Sequence, residues 1–291
     1  MTEPAPSPQR ETVPCNLCGS DDHAPWATVQ GVRVVRCREC GLVFTNPRLC
    51  VSALHDSYEE DYGEQHEDPV LLAQRRRMYE LERGEILRHV SGGRFLDVGC
   101  GTGEFISLLR DDFEVYGAEV SQRYLQIARE RYALPHLVAG ELTTAGFDGD
   151  FFDVIQMRGV LQHLPDPLAQ LREACRVMKP GGLLVISATP NIASPAARVF
   201  GPYFRLLAPD QMVYDFSPRT LRRLLEKAGY RVERFAFPYV NTPYFRWYQP
   251  LEFAWQAARL ALRQMSARAT SDLKSPAFFG SMMTCYARKP D

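Results

Sequence analysis

The chain has 291 residues and a mass of 33.1 kDa, enough for one full-sized domain plus a small accessory unit. At 45% hydrophobic, 11% aromatic and 24% charged residues it has the composition of a soluble globular protein, which excludes a chain disordered throughout, a collagen-like rod and a coiled coil. No stretch approaches twenty consecutive apolar residues and the N-terminus is proline-rich and polar, which sets the expectation of a cytoplasmic protein without a spanning helix or secretory signal.

The net charge is −1, but it is unevenly spread. Residues 1–197 carry 19 basic against 28 acidic side chains, and residues 198–291 carry 15 against 7. A basic C-terminal third suits an anionic substrate or surface; solvated helix faces that carry Arg account for it equally well.

Residues 1–10 read as a flexible tail, and the first ordered unit spans 11–48. Cys15-x-x-Cys18 and Cys37-x-x-Cys40, with 18 residues between the pairs, have the spacing of a four-thiolate zinc ribbon. Each pair turns two sulfurs toward one ion at about 2.3 Å. Gly19 and Gly41 follow the second Cys of each pair, and Trp26 to Arg36 reads as a hairpin turning at Gly31. So small a unit has little core, so the metal would supply much of its folding free energy in a structural role. A redox Cys-x-x-Cys, which needs only one pair, and two disulfides, which need an exported protein, are the alternatives. Cys50, Cys100, Cys175 and Cys285 are scattered and read as free thiols. Residues 1–50 hold five charges of each sign, which argues against a ribbon built to grip a phosphate backbone.

Residues 49–90 form a connector, acidic and Tyr-bearing over His55 to Asp68, that ends in a helix from about Val70 to Val90. A strand, turn and helix follow. Arg94 to Val98 is a short apolar strand, Gly99-Cys100-Gly101-Thr102-Gly103 the turn, and Glu104 to Arg110 the helix. Glycines there let the backbone approach a ligand closely. A second strand, Glu114 to Ala118, ends in Glu119, placed to accept hydrogen bonds from both hydroxyls of a ribose. Dinucleotide-binding dehydrogenases share this outline, but their glycines stand at positions one, three and six; here the sixth is Glu104 and the third glycine comes at the fifth.

That spacing, with Asp97 two residues before the first glycine, resembles the signature of class I S-adenosylmethionine-dependent methyltransferases. Phe152-Asp153-Val154-Ile155 resembles the family's fourth strand, Gln162-His163-Leu164-Pro165-Asp166-Pro167 the loop after it, and Met178-Lys179-Pro180-Gly181-Gly182 the turn into the fifth. The resemblance implies an α/β fold over residues 91–291, a Rossmann-like seven-stranded methyltransferase sheet preceded by the zinc ribbon. It also implies roles. Gly99, Cys100, Gly101 and Gly103 would wrap the methionine and ribose of the cofactor, with Asp97 ordering the loop and the amino group. Glu119 would bind the ribose, and Glu141 and Leu142 would flank the adenine. Asp153 opens its strand and reads as structural, since ligands lie at the carboxyl ends. Methyl transfer from a sulfonium needs alignment above all, and a base only where the acceptor must lose a proton. His163 is the candidate for that base, against a reading in which it packs or caps its own helix. Gln162 stands where family members carry Glu, which weakens an acid-plus-His dyad.

Ser217-Pro218-Arg219-Thr220 opens an amphipathic helix that stops at Gly229, followed by strands at Tyr230 to Phe237 and Ser281 to Arg288. In this fold the last two strands normally form a hairpin. Here a helical insertion, about residues 239–280, separates them, with a helix expected from Leu251 to about Ala267 and cations at Arg259, Arg263 and Arg268. Residues 198–291 hold 18 of the 32 aromatics. A substrate lid, a dimer contact, a helix on a membrane surface and plain packing all fit such a segment.

The leading expectation is methyl transfer from S-adenosylmethionine to a small metabolite or a nucleotide- or lipid-linked sugar, since ribbon-bearing methyltransferases of this layout resemble sugar-modifying enzymes. The deoxysugar C-methyltransferases among them normally have a further C-terminal domain; with the sequence ending at Asp291 none is expected here, which speaks against nucleotide-sugar C-methylation. The alternatives are an RNA methyltransferase that reads through its ribbon and a non-catalytic scaffold. The sequence names neither the acceptor atom nor the oligomeric state.

Overall fold

The computed structural model describes residues 9–54, 69–265 and 273–291. The start of the expected tail, the His55 to Asp68 connector, and Ala267 and Arg268 lie outside these residues. The N-terminal unit contains β1 (Arg10–Glu11), β2 (His23–Val29), β3 (Val32–Cys37), β4 (Val43–Thr45) and β5 (Arg48–Leu49). The β2–β3 hairpin turns through Gln30 and Gly31, both at positive φ (51° and 83°), the two-residue turn whose twist matches its flanking strands.

The larger unit runs α1 (Pro69–Leu87), β6 (Arg94–Val98), α2 (Glu104–Ser107), β7 (Glu114–Glu119), α3 (Gln122–Tyr132), β8 (His136–Ala139), β9 (Phe152–Arg158), α4 (Pro167–Val177), β10 (Met178–Pro190), α5 (Pro195–Phe200), β11 (Tyr214–Asp215), α6 (Pro218–Lys227), β12 (Arg231–Ala236), α7 (Gln249–Met265) and β13 (Met282–Arg288). Seven strands form one sheet in the order β12-β13-β10-β9-β6-β7-β8, with β13 antiparallel to both neighbours. The chain winds outward from β6 in one direction and from β9 in the other. The switch point between them opens a crevice at their carboxyl ends.

Each sheet face is covered. Phe95, Val154, Leu183 and Val185 pack with Tyr79 and Ile86 of α1 and with Phe105, Leu109 and Leu125. On the other face, Leu96, Ile155, Met157 and Ile186 pack with Leu171 of α4 and Leu221, Leu224 and Leu225 of α6. That second core continues into the ribbon through Leu42 and Phe44, both fully buried. Full burial of each such side chain is worth about 1.5–3 kcal/mol, so the N-terminal unit draws stability from the main domain.

Two features differ from the sequence expectation. α2 is a single turn ending at Ser107, because the amides of Leu108 and Leu109 bond three residues back, to Phe105 and Ile106, and the tightened chain drops Leu109 and Phe113 into the core. β11 leaves the main domain to pair with β4, making the ribbon sheet four-stranded in the order β11-β4-β3-β2. α6 opens where expected and is capped there: Ser217 Oγ accepts from the Thr220 amide at 3.1 Å and Thr220 Oγ1 from the Ser217 amide at 2.9 Å.

Candidate active site

The crevice between β6 and β9 collects most of the residues singled out in the sequence. The Gly99 and Cys100 amides both donate to the Ala118 carbonyl, at 2.7 and 3.2 Å, which ties the Gly-rich loop to β7. Gly99 (φ 72°) admits no side chain: its Cβ would stand 2.4 Å from Val160 Cγ2. Gly101 differs, because a Cβ there would meet nothing among the described residues within 4 Å and would project into open space. Cys100 turns its sulfur inward against Gly117, and burial raises its thiol far above the ordinary range.

Glu119 stands at the end of β7. Its Oε2 accepts from the Gly101 amide at 2.9 Å and its Oε1 from the Ser121 amide at 3.0 Å, so the carboxylate is fixed on the cleft wall beside the loop. Leu142, fully buried, forms part of the same wall next to Gly140. Glu141 also borders the cleft and accepts from Gln170 Nε2 at 2.5 Å, which draws its carboxylate toward α4. Asp97 is completely buried at the end of β6, and its Oδ1 has no hydrogen-bond partner among the described residues. Burial pushes its carboxyl up to about 8, Arg158 pulls against this, and Glu119 and Glu82 add to it. An orphaned carboxylate oxygen of this kind calls for a cationic donor.

Asp97 shares its side of the cleft with Arg75, Tyr79, Thr102 and Arg158. Arg158, at the end of β9, donates from Nε to Glu82 Oε2 at 2.8 Å, and its guanidinium lies 4.7 Å from the Tyr79 ring centroid. α1 therefore contributes both Tyr79 and Glu82 to the site. The sequence carries a signal for Arg158, which ends a strand at the switch point, and none for its partner 76 residues earlier.

His163 also lines the cleft. Its ring nitrogen Nδ1 lies 2.8 Å from the Gln211 carbonyl, which can only accept, so Nδ1 carries the proton and Nε2 is the basic nitrogen of the neutral ring. Burial lowers the imidazole below its ordinary range, so the ring is neutral at pH 7. At the opposite end of β9, Asp153 binds Lys179 Nζ at 2.7 and 2.8 Å and the Arg94 amide at 2.8 Å, away from the cleft.

The four cysteines come together. Cys15, Cys18, Cys37 and Cys40 bring their sulfurs within 4.8 Å of one another, with Cys15 and Cys40 at 3.4 Å and Cys18 and Cys37 at 3.4 Å. This cluster borders the loop that carries His163. Asn16 Nδ2 donates to Asp166 Oδ1 at 2.8 Å, and Asn16 Oδ1 accepts from the Leu168 amide at 3.1 Å. Arg48 Nη1 donates to the Pro165 carbonyl at 2.6 Å while Glu11 accepts from its Nε at 3.0 Å. Nothing in the sequence pattern pairs these residues with residues 165–168.

Comparison with known proteins agrees with this geometry. The profile of a family described as a methyltransferase domain matches residues 71–234, more than half of the chain. The chain is a class I S-adenosylmethionine-dependent methyltransferase. Among curated relatives of this methyltransferase, a demethylmenaquinone methyltransferase of Staphylococcus haemolyticus is 29% identical over 164 residues, 48% of this chain and 69% of the relative. Its counterpart in Staphylococcus saprophyticus is 30% identical over 165 residues, 48% and 71% of the two chains. Among solved structures, the fold of a methyltransferase of Haloferax volcanii, determined with the Trm112 methyltransferase activator, matches with a TM-score of 0.56 at 16% identity, covering 82% of this chain and 98% of that one. An S-adenosylmethionine-dependent methyltransferase of Thermotoga maritima matches with a TM-score of 0.53 at 21% identity, covering 81% and 98%. No helix among the described residues is long and apolar enough to cross a membrane.

Proposed function

We propose that this methyltransferase acts on a small-molecule acceptor bound beside Arg158 and Tyr79, with His163 as the base where the acceptor must lose a proton. The observation that carries the cofactor half of this reading is the contrast along one wall: an open position over Gly101, a fixed Glu119 carboxylate, and the orphaned Oδ1 of Asp97. In this reading Glu119 accepts from the ribose hydroxyls, Leu142 and the neighbouring backbone of Glu141 flank the base, and Asp97 receives the methionyl ammonium. Bound S-adenosylmethionine supplies a methyl group already activated on a sulfonium. The protein then has three tasks: to align the acceptor, to exclude water and to take up a proton. Neutral His163 suits the last, because its Nδ1 is held by Gln211 and its Nε2 is left basic.

A small acceptor is supported by the relatives, which are named for a small molecule, and by the ribbon, whose charges balance and whose polar side chains are spent on the protein's own loop. The four sulfurs suit tetrahedral zinc, in which ligands at about 2.3 Å stand roughly 3.8 Å apart. Native mass spectrometry of the purified chain should show one zinc and reveal any co-purifying cofactor. A radiolabelled-methyl screen across isoprenoid hydroquinones, sugar nucleotides and RNA then tests the acceptor class. Label in either small-molecule arm supports the reading, and label in RNA alone overturns it.

A further inference from the structure

The insertion between β12 and β13 contains α7, whose outward face is apolar. Trp247, Leu251, Trp255, Leu262 and Met265 are exposed to 77%, 69%, 58%, 65% and 85%. Tyr248, Pro250 and three alanines complete the exposed positions from 247 to 265, and Gln264 is the only polar side chain among them. Leu251, Trp255, Ala258, Leu262 and Met265 recur at helical spacing and form one stripe. The inner face is apolar too: Leu260 is buried, and Phe253 meets Phe200 of α5 edge-on at 5.4 Å. Charge is confined to a half-buried flank of Glu252, Arg259 and Arg263, with the Arg259 guanidinium 4.6 Å from the Trp255 ring. A contiguous apolar stripe left facing water marks a surface that is covered in use.

Its composition and charge point to the covering partner. Residues 239–280 carry five basic and two acidic side chains, which favours an anionic surface. Trp at the acyl boundary with Arg reaching the headgroups is the arrangement of an interfacial helix.

We infer that α7 docks along an anionic membrane surface, with Leu251, Trp255, Leu262 and Met265 in the acyl boundary and Arg259 and Arg263 at the headgroups. The docking goes beyond the proposed reaction and needs no turnover to be seen.

The test is co-sedimentation of the full, zinc-loaded chain with large vesicles of phosphatidylcholine, alone or mixed with phosphatidylglycerol. Arg259 and Arg263 together set a preference of about thirtyfold for the anionic vesicles, weakened by salt. The triple variant Leu251→Ser, Trp255→Ser, Leu262→Ser weakens binding about a thousandfold. S-adenosylhomocysteine titration of the variant, with wild-type affinity, verifies that it is folded. In a Trp26→Phe background the two remaining tryptophans, Trp247 and Trp255, both report from the face, and their emission shifts to the blue on binding. Absence of vesicle binding by the wild type, or undiminished binding by the triple variant, overturns the inference. So does a dimer in sedimentation velocity that the triple substitution dissolves while vesicles fail to bind.

Discussion

Replacing Asp97 by Asn should stabilise the ligand-free protein and weaken its cofactor binding, with both effects growing as pH rises. Asp97 titrates at 3.8 in the unfolded chain and at about 8 when folded, because its carboxyl is fully buried. Between those values the native state holds a proton that the unfolded state has lost, so this group's contribution to stability is complete below pH 3.8 and fades until about pH 8. At 1.36 kcal/mol per unit, the penalty reaches about 4 kcal/mol at pH 7 and is less than half of that at pH 5. The neutral amide of the variant carries no such penalty. Urea denaturation should therefore show the advantage of Asp97→Asn growing by about 3 kcal/mol from pH 5 to pH 7. Asp215, equally buried and also raised to about 8, contributes the same slope to both proteins and cancels. In wild type, S-adenosylhomocysteine affinity should rise by up to about tenfold per pH unit toward pH 8, since binding its ammonium requires the carboxylate. The variant should bind weakly with a flat profile. A stability difference equal at pH 5 and pH 7, or unaltered affinity in Asp97→Asn, would refute the reasoning.

Gly101→Ala and Gly103→Ala should separate binding from folding. Both impose a left-handed backbone costing roughly 1–2 kcal/mol, but only the Cβ at 103 collides with Leu134 Cδ1, at 2.5 Å, so thermal denaturation should show the larger loss there and titration the larger affinity loss at 101. His163→Asn should lower kcat by about 10²–10⁴ on an acceptor that loses a proton, without altering cofactor affinity. With cofactor and acceptor saturating, the wild-type rate should fall only below pH 6.5, where the imidazole of burial-lowered basicity becomes charged. Stripping the metal with a chelator, or Cys37→Ser, should remove one zinc per chain and lower the melting temperature in calorimetry, because the cluster folds the ribbon and the ribbon shares the main core.

Features that depend on a few consecutive residues were legible in the sequence. The Gly-rich turn, Glu119 at its strand end, the paired cysteines and the start of α6 at Ser217-Pro218 all follow from local backbone demands. Long-range pairings were not. Glu82 meets Arg158 across 76 residues, Gln211 holds His163 across 48, and Arg48 reaches the Pro165 carbonyl across 117, none with a periodic or compositional trace. α2 came out shorter than its pattern because the burial of Leu109 and Phe113 overrode helical propensity. The insertion was recognised as aromatic and basic, but which aromatics face outward depended on where α5 packs against α7.

Isothermal titration of the zinc-loaded chain with S-adenosylhomocysteine tests the central claim most directly. One cofactor per chain should bind, with affinity reduced about a hundredfold or more in Glu119→Ala, which removes the charged acceptor for two ribose hydroxyls at about 1.5–3 kcal/mol each. No binding by the wild type, or equal binding by the variant, would contradict the placement of the cofactor between Gly101, Asp97 and Glu119.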